Sequence, residues 1–257
     1  MSNPAITSDF KTEPWWWEAA RPTPTRTTRP PSTADVVVVG AGYTGLSSAL
    51  TLARSGRNVT VIDALMPGEA ASSRNAGLVG RALLGGFSKM SARLGLERTA
   101  QLTKGAEDAY DYTISLMNEL KIECHLTHRG RLIPTWNQQQ YDETAADFAL
   151  QQQHLNIEGG MLSADELSQE LRVQGASGAL LVANTSTVHP AMYHRGLRAA
   201  VEAGGATIVG DCALENLTRT ADNIEVMTSR GAIRTNNVVV ATNGYTGGVT
   251  PWFRRRI

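Results

Sequence analysis

Cysteine is nearly absent: Cys124 and Cys212 are the two in 257 residues, and they stand far apart. That excludes a disulfide scaffold, a Cys-x-x-Cys redox pair and a cysteine-rich metal site. Both are expected to be buried thiols in a reducing compartment, which makes the cytoplasm the expected location. An excess of one charge is also missing, since Lys+Arg and Asp+Glu each number 24. No basic face for nucleic acid is expected from such a balance. Arg254, Arg255 and Arg256 form one basic run, expected on a solvated edge. No apolar stretch reaches the roughly 18 residues of a membrane-spanning helix, so no span is expected. The N-terminus lacks a basic region followed by an apolar core, so no secretory signal is expected either. Residues 19–34 hold Arg, Thr and Pro without acids, as transit peptides do, but Asp9, Glu13 and Glu18 precede them and argue against one. His125 and His128 have no carboxylate partner set, so no metal is expected.

What the chain does have is a stretch around which the rest is organised. Val36, Val37, Val38 and Val39 read as a strand buried on both faces. They run directly into Gly40-Ala41-Gly42-Tyr43-Thr44-Gly45, a Gly-x-Gly-x-x-Gly turn. Leu46, Ala49, Leu50 and Ala53 then recur at helical spacing, and Gly56 stops that helix. Asn58 to Ile62 form a second strand, closed by Asp63 and Ala64. Gly40 permits the tight turn, Gly42 lets a pyrophosphate approach the backbone, and Gly45 lets the helix pack on the strand. The helix N-terminus offers N–H groups to phosphate, and Asp63 can accept from ribose hydroxyls. A dinucleotide is therefore expected here, and the acid disfavours a 2′-phosphate.

Along the chain, residues 1–34 read as an extended arm, because Pro4, Pro14, Pro22, Pro24, Pro30 and Pro31 forbid a long helix. Trp15, Trp16 and Trp17 need cover. The favoured expectation is that the arm straps across the body; the alternative puts them at a substrate entrance. After Asp63 comes Ser72-Ser73-Arg74-Asn75-Ala76-Gly77-Leu78, part of a small, polar loop expected near the nucleotide. Ser72 and Ser73 can donate to phosphate, and Arg74 adds charge. Helical periodicity covers 96–121 and 138–154, a strand is expected over 130–135, and Ser163 caps a helix that runs to about Leu171. A strand follows at Gly178 to Ala183. A helix opens at Pro190, with His189 as its cap or a core residue, and a strand lies at Ala206 to Val209. Ala213 to Thr218, Asn223 to Thr228 and Ala232 to Thr235 read as a meander. A separate buried strand from Asn237 ends in Ala241-Thr242-Asn243-Gly244, a second small-residue turn expected beside the first.

The first turn with Asp63, the Ala71 to Gly77 loop and the Ala241 to Gly244 turn after a meander together resemble the D-amino-acid oxidase family of FAD-dependent oxidoreductases. Within it, the aromatic Pro-Trp-Trp arm is similar to the gamma-glutamylputrescine oxidoreductase type. The resemblance implies an α/β fold: a glutathione-reductase-like, Rossmann-type FAD-binding fold with an inserted α+β substrate domain. Residues 35–78 and 189–257 would bind FAD, and 79–188 would form a partial substrate domain. By position, Gly40, Gly42, Tyr43, Thr44 and Gly45 would hold the pyrophosphate, and Asp63 the adenosine ribose. Ser72 through Leu78 would line the pyrophosphate, ribityl chain and isoalloxazine. Leu214 would meet the adenine through its backbone, and Ala241, Thr242, Asn243 and Gly244 would close the phosphate side. Ala76 departs from the family, where glycine is common.

The activity implied is oxidation of an amine or amino acid, with a gamma-glutamylated polyamine among the candidates. Hydride would pass from the carbon beside nitrogen to flavin N5, the imine would hydrolyse, and dioxygen would yield peroxide. No side chain is compelled to act as a base, so no catalytic residue is nominated. Family members continue past the position of Ile257, so a truncated chain and an incomplete fold are expected. The alternatives are a non-catalytic nucleotide-binding fragment and an NAD-linked dehydrogenase; the Ser72 to Gly77 loop speaks against the latter.

Overall fold

The computed structural model describes residues 7, 9–81, 86–155 and 157–256. Pro4 of the expected arm and positions 82–85 of the expected substrate domain lie outside the described residues. In chain order the elements begin α1 (Trp17–Ala20), β1 (Thr33–Val39), α2 (Tyr43–Arg54), β2 (Val59–Ile62), β3 (Leu78–Gly80), α3 (Phe87–Leu94) and α4 (Leu96–Glu119). They continue β4 (Arg131–Thr135), α5 (Gln138–His154), β5 (Gly159–Ser163), α6 (Ala164–Glu170), β6 (Gly178–Val182), β7 (Thr185–Thr187) and α7 (Pro190–Ala203). The last are β8 (Thr207–Val209), β9 (Leu214–Arg219), β10 (Ile224–Thr228), β11 (Gly231–Val240) and α8 (Pro251–Arg254). Among the described residues, no helix is long and apolar enough to cross a membrane.

The chain forms two compact units: Met1–Ala76, Ile122–Cys124 and His189–Ile257 make the first, and Gly77–Lys121 with His125–Val188 the second. The expected arm falls within the first unit, and the other bounds differ from the expected ones in two places. Gly77 and Leu78 join the second unit because Val188 donates its N–H to Gly77 O (2.8 Å) and Leu78 pairs with Thr187. Ile122–Cys124 join the first because His189 donates its N–H to Cys124 O (2.7 Å) and Ile122 packs on Gly196.

The first unit carries a six-stranded sheet in the order β8-β2-β1-β11-β10-β9. β8, β2, β1 and β11 run parallel, whereas β10 and β9 are antiparallel. Val37 and Val39 point to one face of β1, into a core with Ile62, Val209, Cys212, Val226 and Ile233. Val36 and Val38, on the opposite face by strand alternation, are also buried. α2 packs on β1 and β2 and against α7, burying Leu46, Ala49 and Leu50. The expected third meander strand and the following buried strand are one continuous element, β11. Its first half pairs antiparallel with β10 and its second half parallel with β1. Across the join, Ile233 and Thr235 face inward while Arg234 and Asn236 face solvent.

The arm is not wholly extended, since α1 gives it one helical turn. It straps along the first unit, as favoured, but Trp15 stays 69% exposed and lacks the cover expected of all three tryptophans. Trp17, Ala20 and Ala191 form a small core with Trp16 and Met192 beside it. Arg198, 9% exposed, donates to Thr23 O (2.6 Å) and Pro24 O (3.0 Å) of the arm.

In the second unit, β4, β6 and β5 form an antiparallel sheet, and β3 pairs with β7. α5 has the expected bounds, and its Phe148 packs with Ile157 and Leu180. The Ser163 cap is present as a capping box with Glu166. The short elements α3, β3, β5 and β7 were not anticipated. Both cysteines are buried free thiols, as expected.

Candidate functional site

The parallel strands of the first unit end together. Val39 is in register with Val240 on one side and Ile62 on the other, and Ile62 with Val209. Gly40, Asp63, Gly210 and Ala241 therefore leave the sheet at one edge. β1 lies between β2 and β11, so the chain switches direction of progression there, which is where open α/β sheets bind ligands.

Glycine is required at this edge by close approach. A Cβ on Gly45 would stand 1.8 Å from Gly40 O, and one on Gly40 (φ +105°) would stand 2.6 Å from Ala241 O. The first turn and the Ala241 turn are thus in contact, and Ala241 N–H also donates to Val39 O (2.8 Å). A Cβ on Gly42 would meet Ser72 Oγ at 2.9 Å. Ser72 Oγ accepts the N–H of Tyr43, the first residue of α2 (3.1 Å). The first turn of α2 carries no acidic residue.

Asp63 turns back to the same loop. Its Oδ2 accepts from Ala41 N–H (2.7 Å) and its Oδ1 from Leu65 N–H (2.9 Å), while Asp63 O accepts from Cys212 N–H (2.7 Å). That last bond brings the start of β9, and so Leu214, to the Asp63 end of the sheet. Ala64 and Thr44 are exposed on the flanks. Asn75 Nδ2 donates to Ala71 O (3.2 Å), Ser72 O (3.1 Å) and Tyr43 Oη (3.4 Å), so it staples its own loop to α2. Tyr43 Oη donates to Pro190 O (3.0 Å). Burial pushes the Tyr43 pKa up to about 12, which keeps this phenol a donor.

Not all the expected residues converge. Ser73 is 1% exposed, accepts from Trp17 Nε1 (2.7 Å) and donates to Gly68 O, so its hydroxyl is spent on the arm. A buried indole N–H needs an acceptor, and Ser73 is the one supplied. Arg74 lies over the Trp17 ring, 4.3 Å from its centroid, and donates to Glu69 O (2.6 Å). Neither side chain faces the glycine turn, contrary to the phosphate roles expected of them. Ala76 is exposed, and Gly77 and Leu78 belong to the second unit. Thr242 pairs with Thr246 (2.7 Å), while Asn243 (φ +48°) and Gly244 form an exposed turn.

His194 was missed. It is 4% exposed, and its Nε2 lies 2.7 Å from Ala41 O, so it must donate there and fix the middle of the glycine turn. Burial, the largest influence, lowers its pKa; the bond to Ala41 opposes that and the Arg198 charge adds to it. The available signal was its place on the buried stripe of α7 with Ala191, Leu197, Arg198 and Val201. His189 is the N-cap of that helix, its Nδ1 accepting from Met192 N–H (3.2 Å).

Comparison with known proteins matches this chain to a family described as "DAO: FAD dependent oxidoreductase", over residues 35–256. Gamma-glutamylputrescine oxidoreductase of Escherichia coli (strain K12) is 27% identical over 215 residues, covering 84% of this chain and 50% of that protein. A probable oxidoreductase OrdL of Rhizobium meliloti (strain 1021) is 27% identical over 238 residues, covering 92% and 56%. The chain spans about half the length of the curated relatives it matches. Glycine oxidase from Geobacillus kaustophilus shares the fold with a TM-score of 0.70 at 18% identity, over 86% of this chain and 58% of that one. L-amino acid deaminase from Proteus vulgaris does so at 0.68 and 22%, over 85% and 49%. The family match covers the whole nucleotide edge, from β1 past the Ala241 turn, and the chain belongs to the DAO family of FAD-dependent oxidoreductases.

Proposed function

We propose that this chain binds FAD along the strand-end edge of its first unit and serves the oxidation of an amine or amino acid, a gamma-glutamylated polyamine being the finer candidate. The first unit is the FAD-binding part, and the second is a portion of the substrate domain. The observation that carries this reading is the convergence of Asp63, Ser72 and Ala241 on the Gly40 to Gly45 turn, within a chain of this family.

The donor set fits a diphosphate-linked adenine cofactor. Ser72 accepts from Tyr43 and can donate its own hydrogen to a phosphate oxygen. The α2 N-terminus adds a partial positive charge, with no acid in its first turn to oppose an anion. The Asp63 carboxylate is oriented by two backbone N–H groups and keeps lone pairs for ribose hydroxyls. Leu214 meets the adenine through its backbone, and Ala241, in contact with Gly40, closes the phosphate side. His194 holds Ala41 in place from behind. The flavin, if bound there, would supply a two-electron acceptor for the substrate, with dioxygen as the expected final oxidant.

The test is the absorbance spectrum of the purified chain, before and after denaturation, with calorimetric titration of FAD into the apoprotein. The expected result is a yellow protein that releases one flavin per chain. Asp63→Ala should weaken FAD binding by at least about tenfold, the loss of charge-assisted hydrogen bonds to the ribose. A folded, colourless chain that takes up no FAD would refute the reading.

A further inference from the structure

The first unit holds a cavity of about 220 Å³ between the arm and α7, and none of Gly40 to Gly45 lines it. Arg21 and Arg26 of the arm and Arg195 and Arg198 of α7 do, against one carboxylate, Glu202. Two of the four charges are neutralised. Arg21 gives both Nη groups to Glu13, and Arg198 Nε donates to Glu202 Oε1 (3.0 Å). Arg26 and Arg195 are exposed, and no carboxylate pairs with either among the described residues. Arg198 is 9% exposed and uses three of its five N–H groups, on Glu202, Thr23 O and Pro24 O, which leaves two. The fold thus brings two uncompensated positive charges to one concave surface. Like charges so placed repel, and they concentrate anions from solution.

His194 lines the same cavity and decides which anion fits. Its Nε2 donates to Ala41 O (2.7 Å), so in the neutral ring Nδ1 is an acceptor. Burial, the largest influence, lowers the His194 pKa, and the ring is neutral at pH 7.5. The Nδ1 edge faces Gly68 and Pro22, both on the cavity wall: a Cβ on Gly68 would stand 3.0 Å from Nδ1 and 3.5 Å from Pro22 Cγ. Among the described residues, no donor meets Nδ1, yet the fully enclosed side-chain atoms without a partner are Thr60 Oγ1, Arg81 Nε and Ser91 Oγ. His194 Nδ1 therefore keeps accessible surface, and the cavity is the open space beside it. A ligand that satisfies both sides must offer charged oxygens to the guanidinium groups and one hydrogen to Nδ1. Orthophosphate has both at neutral pH, because it keeps a P–O–H group. Sulfate has the charge and the shape without the hydrogen.

We propose that this cavity is a binding site for orthophosphate, its charged oxygens on Arg26, Arg195 and Arg198 and its hydroxyl donating to His194 Nδ1. Phosphate held there joins the arm to α7. The site does not rest on FAD binding.

The test is calorimetric titration of the full chain at pH 7.5 with phosphate and with sulfate, at matched ionic strength. Phosphate should bind at least about tenfold more tightly, because sulfate leaves the buried Nδ1 without a donor. Arg26→Gln and Arg195→Gln remove exposed charges, and each should weaken phosphate by at least about fivefold. Equal affinity for the two anions, or no phosphate binding by the unsubstituted chain, would overturn the proposal without recourse to any variant. Phosphate binding at the unsubstituted affinity in both glutamine variants would overturn it as well. So would an affinity that falls in Ser72→Ala and not in Arg195→Gln, since the anion would then sit at the N-terminus of α2.

Discussion

Gly45→Ala is the substitution most sharply constrained by the structure. The new Cβ would lie 1.8 Å from Gly40 O, 3.0 Å from Gly40 C and 3.3 Å from Val38 Cγ1. The first two are backbone atoms of a turn already pressed on Ala241 O, so no side chain can rotate away to make room. Either α2 lifts from β1 by more than an ångström or the glycine turn opens. Lifting α2 loosens Leu46, Ala49 and Leu50, all buried between helix and sheet. Overpacking a core costs about 1–3 kcal/mol, and a clash against backbone belongs at or above the top of that range. At about 3 kcal/mol and a urea slope of about 3 kcal/mol per molar, the midpoint of the first unit falls by about 1 M. Trp17, 8% exposed in that unit, supplies the fluorescence signal. Gly42→Ala is the paired control. Its Cβ meets only Ser72 Oγ, at 2.9 Å, and that hydroxyl can rotate. Stability should therefore change by less than about 1 kcal/mol. If the two variants unfold at the same urea concentration, or Gly45→Ala at that of the unsubstituted chain, the close packing of helix on turn is wrong.

Two further outcomes follow from single residues. The His194 pKa is lowered from 6.5 in the folded chain, so at pH above 6.5 the imidazole is neutral in both states and its full stabilisation is present. As pH falls below 6.5 the unfolded chain takes up the proton first, and stability is lost until the folded pKa is reached. The urea midpoint of the first unit should therefore drop from pH 7 to pH 5 more steeply than in His194→Gln, and parallel slopes would refute this. In the second unit, Gly105 sits inside α4, exposed and with no atom within 4 Å of where a Cβ would stand, so Gly105→Ala should stabilise that unit by about 0.5–1 kcal/mol. A lowered thermal midpoint would count against the regular helix drawn there.

How much of this could be read in advance depended on how far apart the causes lie in the chain. The first βαβ unit was legible because its strand, turn, helix and closing acid are contiguous from Val36 to Asp63. α5 was legible to its end residues because Asn137 supplies the cap, accepting from Gln140 N–H at 2.8 Å, and the apolar spacing continues to the last turn. β11 was split in two because its partners change midway: β10 and β1 both pair with Arg234 and Thr235, and no local pattern announces such a change of neighbour. β3 and β7 are three residues each, too short for alternation to register. The same distance rule governs the site. Gly40, Gly42 and Gly45 carry their role in their spacing, whereas His194 reaches Ala41 from another helix and looks, in sequence, like any residue on a buried stripe.

Ser72 and Ser73 show why neighbouring residues with one chemistry can divide so completely. Both are small hydroxyls in one loop, and each could donate to a phosphate. The 3-10 turn Ala71–Ser73 rotates successive side chains by about a third of a turn, so the two cannot face the same way. Ser72 reaches the N–H of Tyr43, whereas Ser73 reaches the Trp17 indole. The arm then adds a second tie, with Trp16 Nε1 donating to Asn75 O at 3.0 Å. One side of the loop thus serves the nucleotide turn and the other is bonded to the arm. Trp16 and Trp17 thereby fix one side of the loop from a distant part of the chain. Geometry of that kind becomes visible only when both ends of the contact are placed.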